Sequence, residues 1–420
     1  MKISVGRLNK YILVALILFF PILPEYFRLG GYPVYQYIVL IAVLITTISG
    51  IGKQKLLFFI KKIWLFVVVI IIAYGSHGEW FSMIAYIISS CLLFWSVFFL
   101  IKNKKTVEYL YRILIIMGFI LCITGIIEKV IEYNVFSIIE NTDLGLMGTA
   151  PYYRNGVIRI EQSFGTSITY GIYLNFINTL SLGKYTIAEK RKKTFYLLTY
   201  LLTFIAVFFS NSRMVLITLV LLQITYFFRI NWSKKIVFIS VILSGGIIDA
   251  LNGSKILKKL EEYIFIIVDI FLATNSSQIT DITSAYRFQL VETLWPYIKQ
   301  NFWFGYGNEY MSQFSFSMFG YKYYSIDNAL LNALMRYGFF GIVLLLLPIG
   351  YGMVLAIRKI IRKEKMGYFL LLSFLMYFIN LTSVAQMSEQ RIFYTILALM
   401  LTEEWQRLKD RKGEYIIIDE

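Results

Sequence analysis

Residues 61–105 read KKIWLFVVVIIIAYGSHGEWFSMIAYIISSCLLFWSVFFLIKNKK. Two apolar runs, roughly 62–75 and 80–101, flank the turn Gly75-Ser76-His77-Gly78-Glu79, and Lys102, Lys104 and Lys105 follow the second run. Inside a bilayer every backbone N–H and C=O must be satisfied within the segment, so apolar runs of this length read as helices. The stretch is therefore a helical hairpin that crosses a membrane twice and returns to a basic end.

The same pattern extends in both directions. Spans fall at roughly 10–26, 33–51, 62–75, 80–101, 110–130, 166–183, 195–210, 212–229, 235–250, 335–357, 367–383 and 390–403, the third, seventh and twelfth being short. The expectation is an all-α integral membrane protein of about twelve transmembrane helices, plus or minus two, forming one polytopic domain over residues 1–420. Composition agrees: the chain is 58% hydrophobic and 16% charged, with a mean hydropathy of +0.67, too little polar surface for a soluble globule. The first run, from about Tyr11, follows Lys2, Arg7 and Lys10 as a signal peptide would. The next span follows without a small-residue cleavage site, so the run reads as a permanent span. Cys91 and Cys122 lie within apolar runs and behave as small hydrophobes.

A formal net charge of +16 raises the question of nucleic acid, and its distribution answers it. With the N-terminus inside, 28 of the 41 Lys and Arg fall on inner segments, including the Lys190-Arg191-Lys192-Lys193 cluster, the Arg358 to Lys365 cluster and the tail from Arg407 to Lys412. That is the bias of cytoplasmic loops, so both termini read as cytoplasmic and no nucleic-acid partner is expected.

Two outer segments, roughly 131–165 and 251–334, are too long to be simple connections and are the places to look for function. The longer is rich in aromatic residues such as Trp295, Trp303, Tyr306 and Tyr324, which suit either an interfacial belt or a sugar-stacking platform. Residues 284–300 read as a helix with Arg287, Val291, Leu294 and Ile298 on one face. Arg287 either snorkels to water or offers a forked donor to a diphosphate. Arg213, after Ser210-Asn211-Ser212 at a short outer turn, is either a headgroup anchor or a pathway residue, and Arg154 and Arg159 lie in the other long outer segment. Asp327 and Asn328 precede an apolar helix, where they read as an N-cap, and a carboxylate there also suits general-base work. His77, Glu25, Glu79, Glu128 and Glu132 read as surface-turn or solvated rim residues. One histidine and no outer Asp-x-Asp pair leave no expected metal set, and no phosphate loop suggests ATP.

Four patches together resemble the O-antigen ligase and Wzy-type O-antigen or capsule polymerase superfamily. They are Asn211-Ser212-Arg213; Arg287 with Trp295-Pro296 and Gly305-Tyr306-Gly307; Asp327-Asn328-Ala329-Leu330-Leu331 with Tyr337-Gly338-Phe339-Phe340-Gly341; and, more weakly, Arg159 with Ser163-Phe164-Gly165. The resemblance implies a C-type membrane glycosyltransferase of the bacterial cytoplasmic membrane with its active site outside. Its donor and acceptor would be undecaprenyl-diphosphate-linked oligosaccharides, with no cofactor or metal, and its partners a flippase and a chain-length regulator. Carried over, Arg213, Arg287 and Arg159 would bind the diphosphate. Asp327 would be the catalytic base, and Arg154, Trp295, Tyr306 and Asn328 would contact substrate. Ligases of the superfamily have histidine where this chain has Asp327, which fits a polymerase better than a ligase. A lipid-linked oligosaccharide flippase is the rival from outside it, although transporters place charge at mid-membrane and show two similar halves.

Overall fold

The computed structural model describes residues 5–23, 27–30, 32–139, 152–154, 157–229, 282–318, 320–384 and 390–411. The expected span 235–250, the first part of the large outer segment, the middle of the smaller one and Glu25 lie outside the described residues.

The described helices are, in chain order, α1 (Val5–Ile22), α2 (Val34–Ile48), α3 (Lys53–Gly75), α4 (Trp80–Leu100), α5 (Lys104–Ile131), α6 (Ser167–Ile187), α7 (Lys190–Phe209), α8 (Arg213–Arg229), α9 (Ile282–Gln300), α10 (Gly307–Gln313), α11 (Ala329–Ile361), α12 (Lys365–Asn380) and α13 (Gln390–Arg411). Eleven of the twelve expected spans coincide with one of these helices, which bears out an all-α membrane protein. Among the described residues, α3, α4, α5, α7, α11 and the run Lys365–Ser383 are long and apolar enough to cross a membrane, and α1 and α2 hold shorter apolar stretches. The chain is a multi-pass membrane protein. The third span is longer than expected because Lys53, Lys55, Lys61 and Lys62 continue the helix, lysine being a good helix former whose stem lies along apolar surface. Lys55 then donates to the carbonyl of Ile101 at 2.8 Å and so caps the end of α4, closing the hairpin at its basic end.

Helix α6 is the axis of the bundle and packs on α5, α7, α8 and α12. It is buried almost from end to end, which is why it tolerates Asn175, Asn178, Thr179 and Ser181. Those side chains tie the helices together: Asn178 Nδ2 donates to Thr203 Oγ1 at 2.8 Å, while Asn175 and Asn380 both donate to Thr218 Oγ1 at 3.0 Å. Each such bond is worth about 0.6 kcal/mol in a membrane bundle, so they specify register more than they hold the fold.

At the far end of α11, Lys359 pairs with Glu403 and Glu364, and Arg362 with Glu404, binding α11, α12 and α13 through charges. Among the described residues three two-stranded hairpins decorate the helices: β1 (Arg28–Leu29) with β2 (Tyr32–Pro33), β3 (Tyr152–Arg154) with β4 (Val157–Arg159), and β5 (Phe316–Met318) with β6 (Tyr321–Tyr323).

Candidate active site

The first outer segment is pinned to the bundle by a carboxylate. Glu128, expected at a solvated rim, is instead buried near the end of α5 and accepts the backbone N–H groups of Glu161 at 3.0 Å and Gln162 at 3.2 Å, together with the Gln162 side-chain amide. A buried carboxylate requires such donors. Glu128 therefore seats the stretch that carries Arg159, whose Nε donates to the Ser210 carbonyl at 3.5 Å. That contact brings Arg159 to the turn of Ser210, Asn211 and Ser212, from which α8 starts at Arg213. Both arginines are half-buried. Residues 51 apart in sequence thus share one place, beside the helix N-terminus whose free backbone N–H groups favour an anion. Glu161 lies next to them. Burial pushes its carboxyl up to about 7, with Arg159 and the Ser167 N–H opposing and Glu128 reinforcing the shift.

The described part of the large outer segment is a folded unit with a core of its own. On α9 the buried stripe is Leu290, Leu294 and Ile298, joined by Met311, Phe314, Phe316, Met318, Ile326, Leu331 and Met335. Val291, placed by helical spacing on the inner face, is exposed, and Leu290 takes its position. The buried arc centres one residue earlier, and a spacing of three or four fits either residue. Arg287 lies in α9, but its side chain falls outside the described residues, as does that of Arg154 in β3. Phe314 and Phe316 belong to this core rather than to a belt or platform, while Trp295, Trp303, Tyr321 and Tyr324 remain exposed. Tyr306 stacks on Tyr310 with centroids 4.7 Å apart, and its hydroxyl donates to the Tyr297 carbonyl at 2.9 Å, so that hydroxyl is engaged within the loop.

The two glycine motifs interlock. Tyr306 N–H donates to the Met335 carbonyl at 2.8 Å and Phe339 N–H to the Phe302 carbonyl at 2.7 Å, which lays residues 302–306 across a break in α11 at Gly338. Gly338 has φ 60° and ψ −145°, and a Cβ there would lie 2.4 Å from the Trp303 carbonyl carbon. Only glycine accommodates both the dihedral and the approach.

Asn328 alone caps α11: its Oδ1 accepts from Leu330 N at 3.0 Å and Leu331 N at 3.1 Å. Asp327, expected to share that role, is exposed and takes only a 3.4 Å contact from Ser325 Oγ. The backbone at Asn328, φ −153° and ψ 112°, aims one side chain at the free N–H groups, and it is the second residue of the pair.

A cavity of about 530 Å³ opens between α4, α11 and α13, and Arg159, Arg213, Trp295, Tyr306, Asp327 and Asn328 are not among its lining residues. Arg336, Arg391, Asn308, Tyr86, Tyr394 and Ser90 are among its walls. Glu79 and His77, expected at the surface, belong to its support. Glu79 accepts from the Asn308 backbone N–H, from Asn308 Nδ2 and, at 2.9 Å, from the Tyr337 hydroxyl, while His77 Nε2 pairs with the Phe304 carbonyl at 2.8 Å. A long-range polar lock replaces the rim expected from a five-residue turn. The available signal was Arg336 and Arg391 at the edges of apolar runs, where a charge inside a bundle marks a cavity. Among the described residues no group of three His, Cys, Asp or Glu gathers as metal ligands.

A search of curated proteins returned no match. A family model described as O-antigen ligase matches residues 198–346, a span that holds three of the four sequence patches, Arg213 and the Gly305, Asp327 and Gly338 regions among them, and leaves out Arg159. Residues 198–346 are thus similar to the O-antigen ligase family, consistent with the O-antigen ligase and Wzy-type superfamily.

Proposed function

We propose that the protein is a polysaccharide polymerase that joins undecaprenyl-diphosphate-linked oligosaccharide repeats at the outer face of the bacterial cytoplasmic membrane, with both termini cytoplasmic. The observation that carries this is the Arg159 contact to Ser210, which brings two separate arginine patches to the start of α8, where a diphosphate would meet fixed donors. In this reading Arg159, Arg213 and Arg287 hold the donor diphosphate. A sugar hydroxyl of the acceptor attacks the anomeric carbon from the opposite side, and the bond to the diphosphate breaks with its electron pair, which stabilised charge on the leaving group makes feasible. The proton passes to Asp327, which is not occupied as the helix cap. Trp295 offers an exposed ring to a sugar face, and the exposed Trp303 adds a second. In this reading Arg154, Tyr306 and Asn328 are further substrate contacts, the last two also serving the fold.

A second reading, transfer of finished glycan to another acceptor, is favoured by the description of the matching family. Deletion of the gene followed by gel analysis of surface glycan separates the two. A polymerase predicts single-repeat material on the final acceptor. Long chains retained on the lipid carrier would replace this reading with the ligase, and loss of all translocated intermediate would replace it with a flippase.

A further inference from the structure

The cavity beside α11 is a second place where the fold presents a cation, apart from Arg159 and Arg213. Arg336 forms its wall. Nε donates to Asn332 Oδ1 at 2.9 Å and a terminal nitrogen donates to Asn308 Oδ1, and both acceptors are neutral amides. Among the described residues no carboxylate pairs directly with this guanidinium, and Glu79 reaches it only through Asn308. Asn308 is turned to this task by Glu79, which accepts both its backbone and its side-chain N–H and so leaves the amide oxygen facing Arg336. Opposite, a π turn at Ile87–Cys91 brings Ser89 and Ser90 to the wall. Away from Arg336 the lining becomes apolar at Leu344, Leu345 and Pro348. A forked cation above an apolar floor, in a space of this size, suits a phosphate ester carried on a hydrocarbon chain.

Polymerisation as proposed above consumes two such molecules, donor and acceptor, and the described residues present this cationic place besides the one at Arg159 and Arg213. Resting on that reading, we propose that this cavity takes the phosphate head of the lipid-linked acceptor, with Arg336 as its anion-binding residue and Glu79 a positioning residue acting through Asn308.

The test is equilibrium binding of radiolabelled undecaprenyl diphosphate to the purified full chain in detergent, which needs no turnover. Two molecules per chain are expected. Arg336→Gln should weaken one of them by roughly ten- to hundred-fold and leave the other unchanged. Glu79→Gln should weaken the same one by a smaller factor, because an amide meets three donors with a single acceptor oxygen; a merely structural Glu79 would lower the melting temperature and leave both affinities alone. One molecule bound by the wild type, or two undiminished in Arg336→Gln, overturns the proposal. Should Arg336→Gln fail to fold, a photoreactive undecaprenyl diphosphate on the wild-type chain decides: crosslinks in residues 82–90 and 332–349 support it, and their absence overturns it. Equal competition at the second site by phosphatidylglycerol vesicles would make it a general phospholipid site, and equal competition by inorganic diphosphate would remove the need for the chain; either result overturns the acceptor assignment. Two molecules bound without polymer formation would sink the polymerase reading and leave this site standing.

Discussion

Asp327 and Asn328 are neighbours with separable work, and their substitution isolates the chemistry from the fold. Asn328 supplies the cap of α11 through two bonds at 3.0 and 3.1 Å, so Asn328→Ala should destabilise the protein by about 1 kcal/mol, within the usual range of roughly 0.5–2. In a chain of this size that is a fall in melting temperature of about 2 °C or less. Asp327→Asn removes only a 3.4 Å contact from Ser325 at an exposed position, so its stability should stay within about 0.5 kcal/mol of the wild type. The rates should respond in the opposite sense. General-base catalysis contributes roughly 10²- to 10⁴-fold, and Asn keeps the shape of Asp while losing its basicity, so initial polymerisation of purified lipid-linked repeats should fall by about that factor. Because Asn328 already caps the helix, a lost rate in Asp327→Asn cannot be blamed on a missing cap. Differential scanning fluorimetry and a gel-based chain-growth assay on the same preparations read both quantities. Polymerisation by Asp327→Asn within a few-fold of the wild type would refute the base assignment, and full activity loss in Asn328→Ala at an unchanged melting temperature would show that Asn328 serves substrate rather than the cap.

Further outcomes follow from the surrounding geometry. Arg287→Lys keeps the charge and loses the fork, so the rate should fall substantially if the diphosphate is held bidentately; wild-type turnover would exclude that contact. Gly338→Ala forces a Cβ to within 2.4 Å of backbone at a positive φ and should cost about 2 kcal/mol or more, seen as poor recovery of folded protein from membranes, whereas normal recovery would mean that the strap at 302–306 yields easily. Glu161 has a folded pKa raised from 4.5 to about 7 by burial, so the folded state holds the proton more tightly: its stabilising contribution is present below pH 4.5 and is lost as pH rises through 7. Glu161→Gln should therefore flatten the decline in melting temperature between about pH 5 and pH 8, and an unaltered slope would reject that environment.

The membrane fold was legible in the sequence because burial in a bilayer depends on residues one at a time: runs such as 62–75 and 80–101 announce themselves by local hydropathy, and most observed helices lie where such runs occur. The Gly305 and Gly338 motifs could be seen as well, since glycine at a fixed spacing marks an unusual backbone, but not that the two meet. What needed the tertiary structure were decisions between neighbours and between distant partners. Helical spacing admits Val291 and Leu290 almost equally, and only the surrounding Met311, Phe314 and Met335 show which one is buried. Residue type admits Asp327 and Asn328 equally as a cap, and the backbone angles at 328 choose. Glu128 and Glu79 read as rim charges because a carboxylate at a helix end is usually solvated. Their donors come from Gln162 and from Asn308, 34 and 229 residues away, and a contact at that separation leaves no local trace in a chain until folding brings the two segments together.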